Sequence, residues 1–134
     1  LVYFSYNQKK DVGDFLDDVN ETILSDTQFP FEQVENDIKK TFEALNNLLD
    51  EKSFKKFDGE NFKGKFLESA FESVAVGLGA NIQTYTFPDD NELLLAKIKQ
   101  LYSQESYTAN AGSGSNAKSR IPKLVPFAKD FFRK

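Results

Sequence analysis

The chain has 134 residues and a net charge of −4, with 14 Phe and 5 Tyr but no His, Cys, Met or Trp. Without His or Cys there can be no Ser-His-Asp triad, Cys-His pair, Cys/His zinc site or disulfide framework. The length fits a single domain, and no apolar run approaches the roughly 18 residues of a membrane span.

The first residues, Leu1-Val2-Tyr3-Phe4, read as the end of a helix begun upstream. With no initiator Met, the chain reads as an excised piece of a longer protein. From Asp11 to about Ser25, the apolar residues Val12, Phe15, Leu16, Val19 and Ile23 fall on one helical face. Asp11 is the expected N-cap, and Asp14 suits the dipole of the first turn. Pro30 breaks this segment and opens the next helix, Phe31 to about Lys52. There Phe31, Val34, Ile38, Phe42, Leu45 and Leu49 recur at helical spacing, a stripe read as core packing.

Ser53 to Lys65 reads as a loop with a turn at Asp58-Gly59, whose Phe54, Phe57 and Phe62 fold back over the core. A helix follows from about Lys65 to Leu78, burying Phe66, Leu67, Ala70, Phe71, Val74 and Leu78. Its small residues Ser69, Ala70, Ser73, Ala75 and Gly77 predict close approach to a neighbour, and Gly79 a stop. Asn81 to Phe87 is expected to be extended, and Asp89 or Asp90 to start a helix reaching about Tyr102. Ser103 to Ser119 is expected to be a long loop. The last helix runs from about Ile121 or Pro122 to Phe132, or from near Pro126 if that proline marks its start.

Charge is uneven along the chain. Residues 1–114 carry 20 acidic and 11 basic side chains, whereas 115–134 carry six basic and one acidic. The acidic body argues against nucleic acid coating the whole surface. The basic tail either docks an anion or neutralises the body. Within it, Gly112, Ser113, Gly114, Ser115, Lys118, Arg120 and Lys123 form the candidate phosphate or nucleic-acid site. Glycines let backbone N–H groups converge, a helix N-terminus adds partial positive charge, and three cations add full charges. The spacing matches neither a Walker A loop nor a dinucleotide fingerprint, and Gly/Ser loops are commonly just flexible linkers. Asp58, Glu60, Lys63 and Lys65 resemble a nuclease metal site in spacing only, since they fall in a loop and lack the calcium-loop ligand pattern. Asp14, Asp17, Asp18 and Glu21 read as a solvated acidic face.

Three stretches together, LVYFSYNQKKDVGDFLDDVNETI, SFKKFDGENFKGKFLESAFESVAVGL and GSGSNAKSRIPKLVPFAKDFF, resemble the C-terminal helical part of GmrSD-type, ParB/sulfiredoxin-like proteins. Many members serve in modification-dependent restriction and phage defence. The resemblance implies a helical fold and a parent with a nucleotide-binding, nuclease-like domain. The family's Asp-Gly-Gln-Gln-Arg motif is absent, because Asp58-Gly59 continues as Glu60-Asn61. The His-containing nuclease motif is absent as well, so the resemblance does not make this chain an enzyme.

The expected fold is all-α, a bundle of about five helices with at most one short extended segment. The expected function is that of a non-catalytic, cytoplasmic helical domain of a GmrSD-like protein. It would pack on the upstream domain and contact DNA or phosphate through the basic segment, with no catalytic residue, metal or cofactor of its own and no membrane. The alternative is a protein-interaction or assembly module, docking through Leu1–Phe4 or the Phe54–Phe62 loop. Eight phenylalanines (Phe15, Phe31, Phe42, Phe66, Phe71, Phe127, Phe131 and Phe132) fall in expected helices, where most fill the core; Phe54, Phe57 and Phe62 are left as suspects for binding.

Overall fold

The computed structural model describes every residue except Ser113. It is an all-α bundle carrying one small β ribbon, with six helices among the described residues: α1 (Val12–Ser25), α2 (Phe31–Leu49), α3 (Glu68–Gly79), α4 (Asn91–Leu101), the short α5 (Glu105–Thr108) and α6 (Ala117–Phe131). No described helix is long and apolar enough to cross a membrane.

The centre is built on α3 and α6, which share the most extensive contact. Their axes approach closely because α3 presents small side chains. A Cβ on Gly77 would lie 2.7 Å from the Phe132 ring and 2.8 Å from the Ala128 carbonyl oxygen. Leu45 of α2, Val74 and Leu78 of α3, Leu94 and Ile98 of α4, and Leu124 of α6 complete the core. Buried tyrosines reach polar partners, as an apolar ring with a polar tip must. The Tyr85 hydroxyl donates to the Phe132 carbonyl at 2.7 Å, and that of Tyr102 to the Lys55 carbonyl at 2.8 Å. Burial, then the nearby Asp90 charge, pushes the Tyr85 hydroxyl up to about 12.

Helix α1 begins where expected: the Asp11 side chain accepts from the Gly13 N–H at 3.0 Å. It lies at the periphery and contributes no fully buried residue. Val12 and Phe15 pack on a second, smaller cluster formed by Tyr6, Ile121 and Val125.

Five segments depart from expectation. Leu1–Phe4 is not helical: four residues cannot nucleate a helix unaided, and the Val2 carbonyl instead accepts from Lys129 Nζ at 2.7 Å. The expected loop at 53–65 contains an antiparallel hairpin, β1 (Lys56–Phe57) paired with β2 (Phe62–Lys63). Its turn is set by Asp58 Oδ1, which accepts from the Glu60 and Asn61 N–H groups, and by Gly59 at φ +107°. The expected extended stretch after α3 contains a single 3₁₀ turn at Ile82–Thr84. Here Asn81 Nδ2 donates to the Gly77 and Lys129 carbonyls, and Thr84 Oγ1 donates to the Asn81 carbonyl. Such short polar side chains favour local turns over strand pairing.

The long loop before the last helix includes α5, held by the buried Tyr107 ring against Tyr102 at 5.4 Å. Helix α6 starts at Ala117, capped by Asn116 Oδ1 on the Ser119 N–H at 2.9 Å, and runs through both prolines. An interior proline leaves the carbonyl four residues earlier without its donor. For Pro122 that carbonyl belongs to Lys118, and Gln8 Nε2 takes the place of the missing N–H at 2.9 Å.

Candidate functional site: an exposed phenylalanine face

The basic segment is arranged differently from an anion cradle. Gly112 and Gly114 are exposed, with Gly114 at φ +95°, and Ser113 lies outside the described residues. The Asn116 side chain already covers the start of α6. Arg120 turns inward and is only 6% exposed. Its Nε and Nη2 hold both Glu72 carboxylate oxygens at 2.6 and 2.8 Å; Nη2 also reaches Glu68 at 3.1 Å, and Nη1 the Ser115 carbonyl at 3.1 Å. These carboxylates, Glu72 foremost, raise the guanidinium pKa still further. Lys118 and Lys123 remain exposed on α6. The strongest cation of the expected site is thus neutralised within the fold, and two carboxylates stand beside it.

Asp58 likewise serves the hairpin. Hydrogen bonds from the Asn61 N–H, Lys63 and the Glu60 N–H hold its carboxyl far below the usual range. Among the described residues, no three carboxylates converge as a metal site would need.

The residues that do gather in the open are aromatic. Phe42 of α2, Phe54 before the hairpin, Phe66 after it, and Phe71 of α3 form one cluster. Ring centroids lie 5.7 Å apart for Phe54–Phe66, 5.2 Å for Phe54–Phe71 and 6.4 Å for Phe42–Phe71. Phe66 is 55% exposed and Phe42 42%, and neighbouring Ile38 is 54% exposed. A pocket of about 170 Å³ lies between α2 and α3, walled by Tyr3, Ile38, Phe42, Phe71 and Val76 among others. It joins this cluster to a second one, Tyr3–Phe29–Phe31, with centroids 5.9 and 4.9 Å apart. Burial, then the Asp37 charge, raises the Tyr3 hydroxyl pKa.

The sequence assigned Phe31, Ile38, Phe42, Phe66 and Phe71 to the core, but all five are exposed, and Phe66, expected inside the helix, lies before α3 begins at Glu68. On α2 the buried positions are Thr41, Ala44 and Leu45. At 3.6 residues per turn, Phe42 lies roughly 100° around the helix from Thr41 and roughly 60° from Leu45. Ile38 and Phe31 share Leu45's side but stand about two and four turns nearer the start of α2, where they stay exposed. Thr41 tolerates burial because its hydroxyl donates to the Asp37 carbonyl at 2.7 Å. On α3 the small side chains Ser69, Ser73 and Gly77 face inward. Phe71, two positions from Ser73, lies roughly 160° from it around the helix and is exposed. The run of small residues signalled the close contact with α6, in which Val74 and Leu78 are buried as well; Phe71 is left exposed beside Phe54 and Phe66.

Phe54 and Phe62 pack against the core as expected. Phe57 instead packs tilted against Phe62, with ring centroids 4.9 Å apart, and lies under Lys99 Nζ at 5.4 Å.

Comparison with protein-family models, with curated proteins and with solved structures finds no match for the chain.

Proposed function

We propose that this chain is a helical protein-interaction domain that docks on its partner through the phenylalanine face of α2 and α3. The observation that carries the reading is the Phe42–Phe54–Phe66–Phe71 cluster, in which Phe42, Phe66 and Phe71 stay open to solvent on the half-buried Phe54 beside an apolar pocket. A contiguous exposed apolar surface is costly in an isolated domain and marks an interaction site. Aromatic anchors beside a pocket are the usual carriers of interface energy. In the setting of the family resemblance, the partner would be the nucleotide-binding, nuclease-like domain of a GmrSD-type protein in the cytoplasm, and this domain would be its non-catalytic support. A direct DNA contact would rest on Lys118 and Lys123, since Arg120 is held by Glu72.

The test is co-purification with the nuclease-like domain, using wild type and the Phe42→Ser, Phe66→Ser double variant. The variant is expected to keep its helical circular dichroism and lose the partner. Retention of the partner by a folded variant would contradict the reading.

A further inference from the structure

The charge around the phenylalanine face narrows what sits on it, taking the docking role above as given. Two depressions share Ile38 and Phe42 as a common ridge. The smaller, about 170 Å³, has room for one bulky apolar side chain. The larger, about 600 Å³, follows α2 toward Phe54 and is bordered by Glu43 and Asp50. From Ile38 to Asn46 the ridge is about 12 Å long, a little over two turns of a docked helix.

Negative groups dominate the α2 side. Asp37 borders the smaller pocket, where its Oδ1 accepts from the amides of Gln33 and Gln83. Glu43 and Asp50 have no cation within ion-pair distance among the described residues; Lys39, which also borders the larger depression near Glu43, is held by Glu35 at 2.6 Å, and the acidic groups outnumber it. At the hairpin end, Lys55 and Lys63 are paired with Glu51 and Asp58, and Lys65 precedes the exposed Phe66.

We infer that the occupant is a basic amphipathic helix of a partner protein, with one bulky apolar anchor in the smaller pocket and Lys or Arg beside Glu43 and Asp50. Helix-in-groove docking reads its target through apolar residues at helical spacing, and complementary charge sets which helix is accepted. A second copy of this chain fits less well: a two-fold interface sets the same patch against itself, and the acidic border would meet its own like charge.

Two synthetic helices with identical apolar positions test this, one flanked by Lys and Arg, the other by Glu, with binding to the intact chain followed by fluorescence anisotropy. The basic peptide is expected to bind at least about tenfold more tightly at low salt, a gap that closes at high salt. Glu43→Lys combined with Asp50→Asn should abolish the preference, and Phe42→Ser with Phe71→Ser should weaken both peptides. Equal binding of the two peptides would overturn the charge assignment and leave the docking role standing. Failure of both peptides to bind would overturn the helical occupant. Peptide binding unchanged by Phe42→Ser and Phe71→Ser would overturn the docking role as well. A peptide-free dimer broken by Phe42→Ser would replace the partner helix with a second copy.

Discussion

Arg120 ties α6 to α3 through Glu72, whose side chain is itself nearly buried, and through the more exposed Glu68. A guanidinium gripping both oxygens of one carboxylate is fixed in geometry as well as in energy. Removing it leaves Glu72 charged and poorly hydrated. Arg120→Ala should therefore cost about 3–5 kcal/mol in urea denaturation. The double change Arg120→Leu with Glu72→Leu should recover most of that loss, because a buried ion pair is often no better than apolar packing. A small loss for Arg120→Ala alone would mean that the side chain is available for a ligand. The sequence could not show this pairing: Arg120 looked like part of a basic tail, and its partner lies 48 positions away.

Asp90 makes a second clasp. Its Oδ2 accepts from Lys134 Nζ at 2.7 Å and from the Thr86 N–H at 2.6 Å, and these bonds, Lys134 first, hold its carboxyl below the ordinary value. A carboxyl depressed in the fold contributes stability above its unfolded pKa, near 3.9, and that stability is lost as pH falls through the folded value. Thermal melts should thus show a smaller drop in Tm between about pH 5 and pH 2 for Asp90→Asn than for wild type. Equal drops would mean that the clasp does not form.

At the scale of elements, α2 separates two kinds of apolar residue within eight positions. Leu45 is fully buried, and Leu45→Ala should cost about 2–5 kcal/mol. Ile38 stands on the open ridge, and Ile38→Ser should change stability by less than about 1 kcal/mol. Chemical denaturation of the two variants checks the pair; similar losses would place Ile38 in the core.

This is also where sequence reading reached its limit. Helical spacing identified α1 to α4 and the terminal helix, because period depends only on the local chain. The direction each stripe faces depends on the neighbour it meets. Thr41, Ala44 and Leu45 take the inward positions of α2, and the small residues of α3 lie against α6, while Phe42 and Phe71 stay outside. The continuity of α6 was hidden for a similar reason. Gln8, 110 positions from Lys118, supplies to the Lys118 carbonyl the donor that Pro122 lacks. The hairpin and α5 are too short for periodicity to register and depend on single side chains, Asp58 and Tyr107.

For the whole molecule, the core and the ion-pair clasps account for folding, and the phenylalanine face is surplus to it. The inward-facing Arg120 leaves Lys118 and Lys123 as the exposed cations of the expected anion site near the start of α6. The exposed aromatics and their acidic border are therefore the feature most in need of a partner. A photo-crosslinking amino acid placed at position 42, in cells producing the protein, tests this most directly. The account predicts a discrete protein adduct that disappears when Phe66→Ser and Ile38→Ser are added, with no such adduct from the same reagent at position 123. No protein adduct from position 42, or one that survives those two substitutions unchanged, would contradict it.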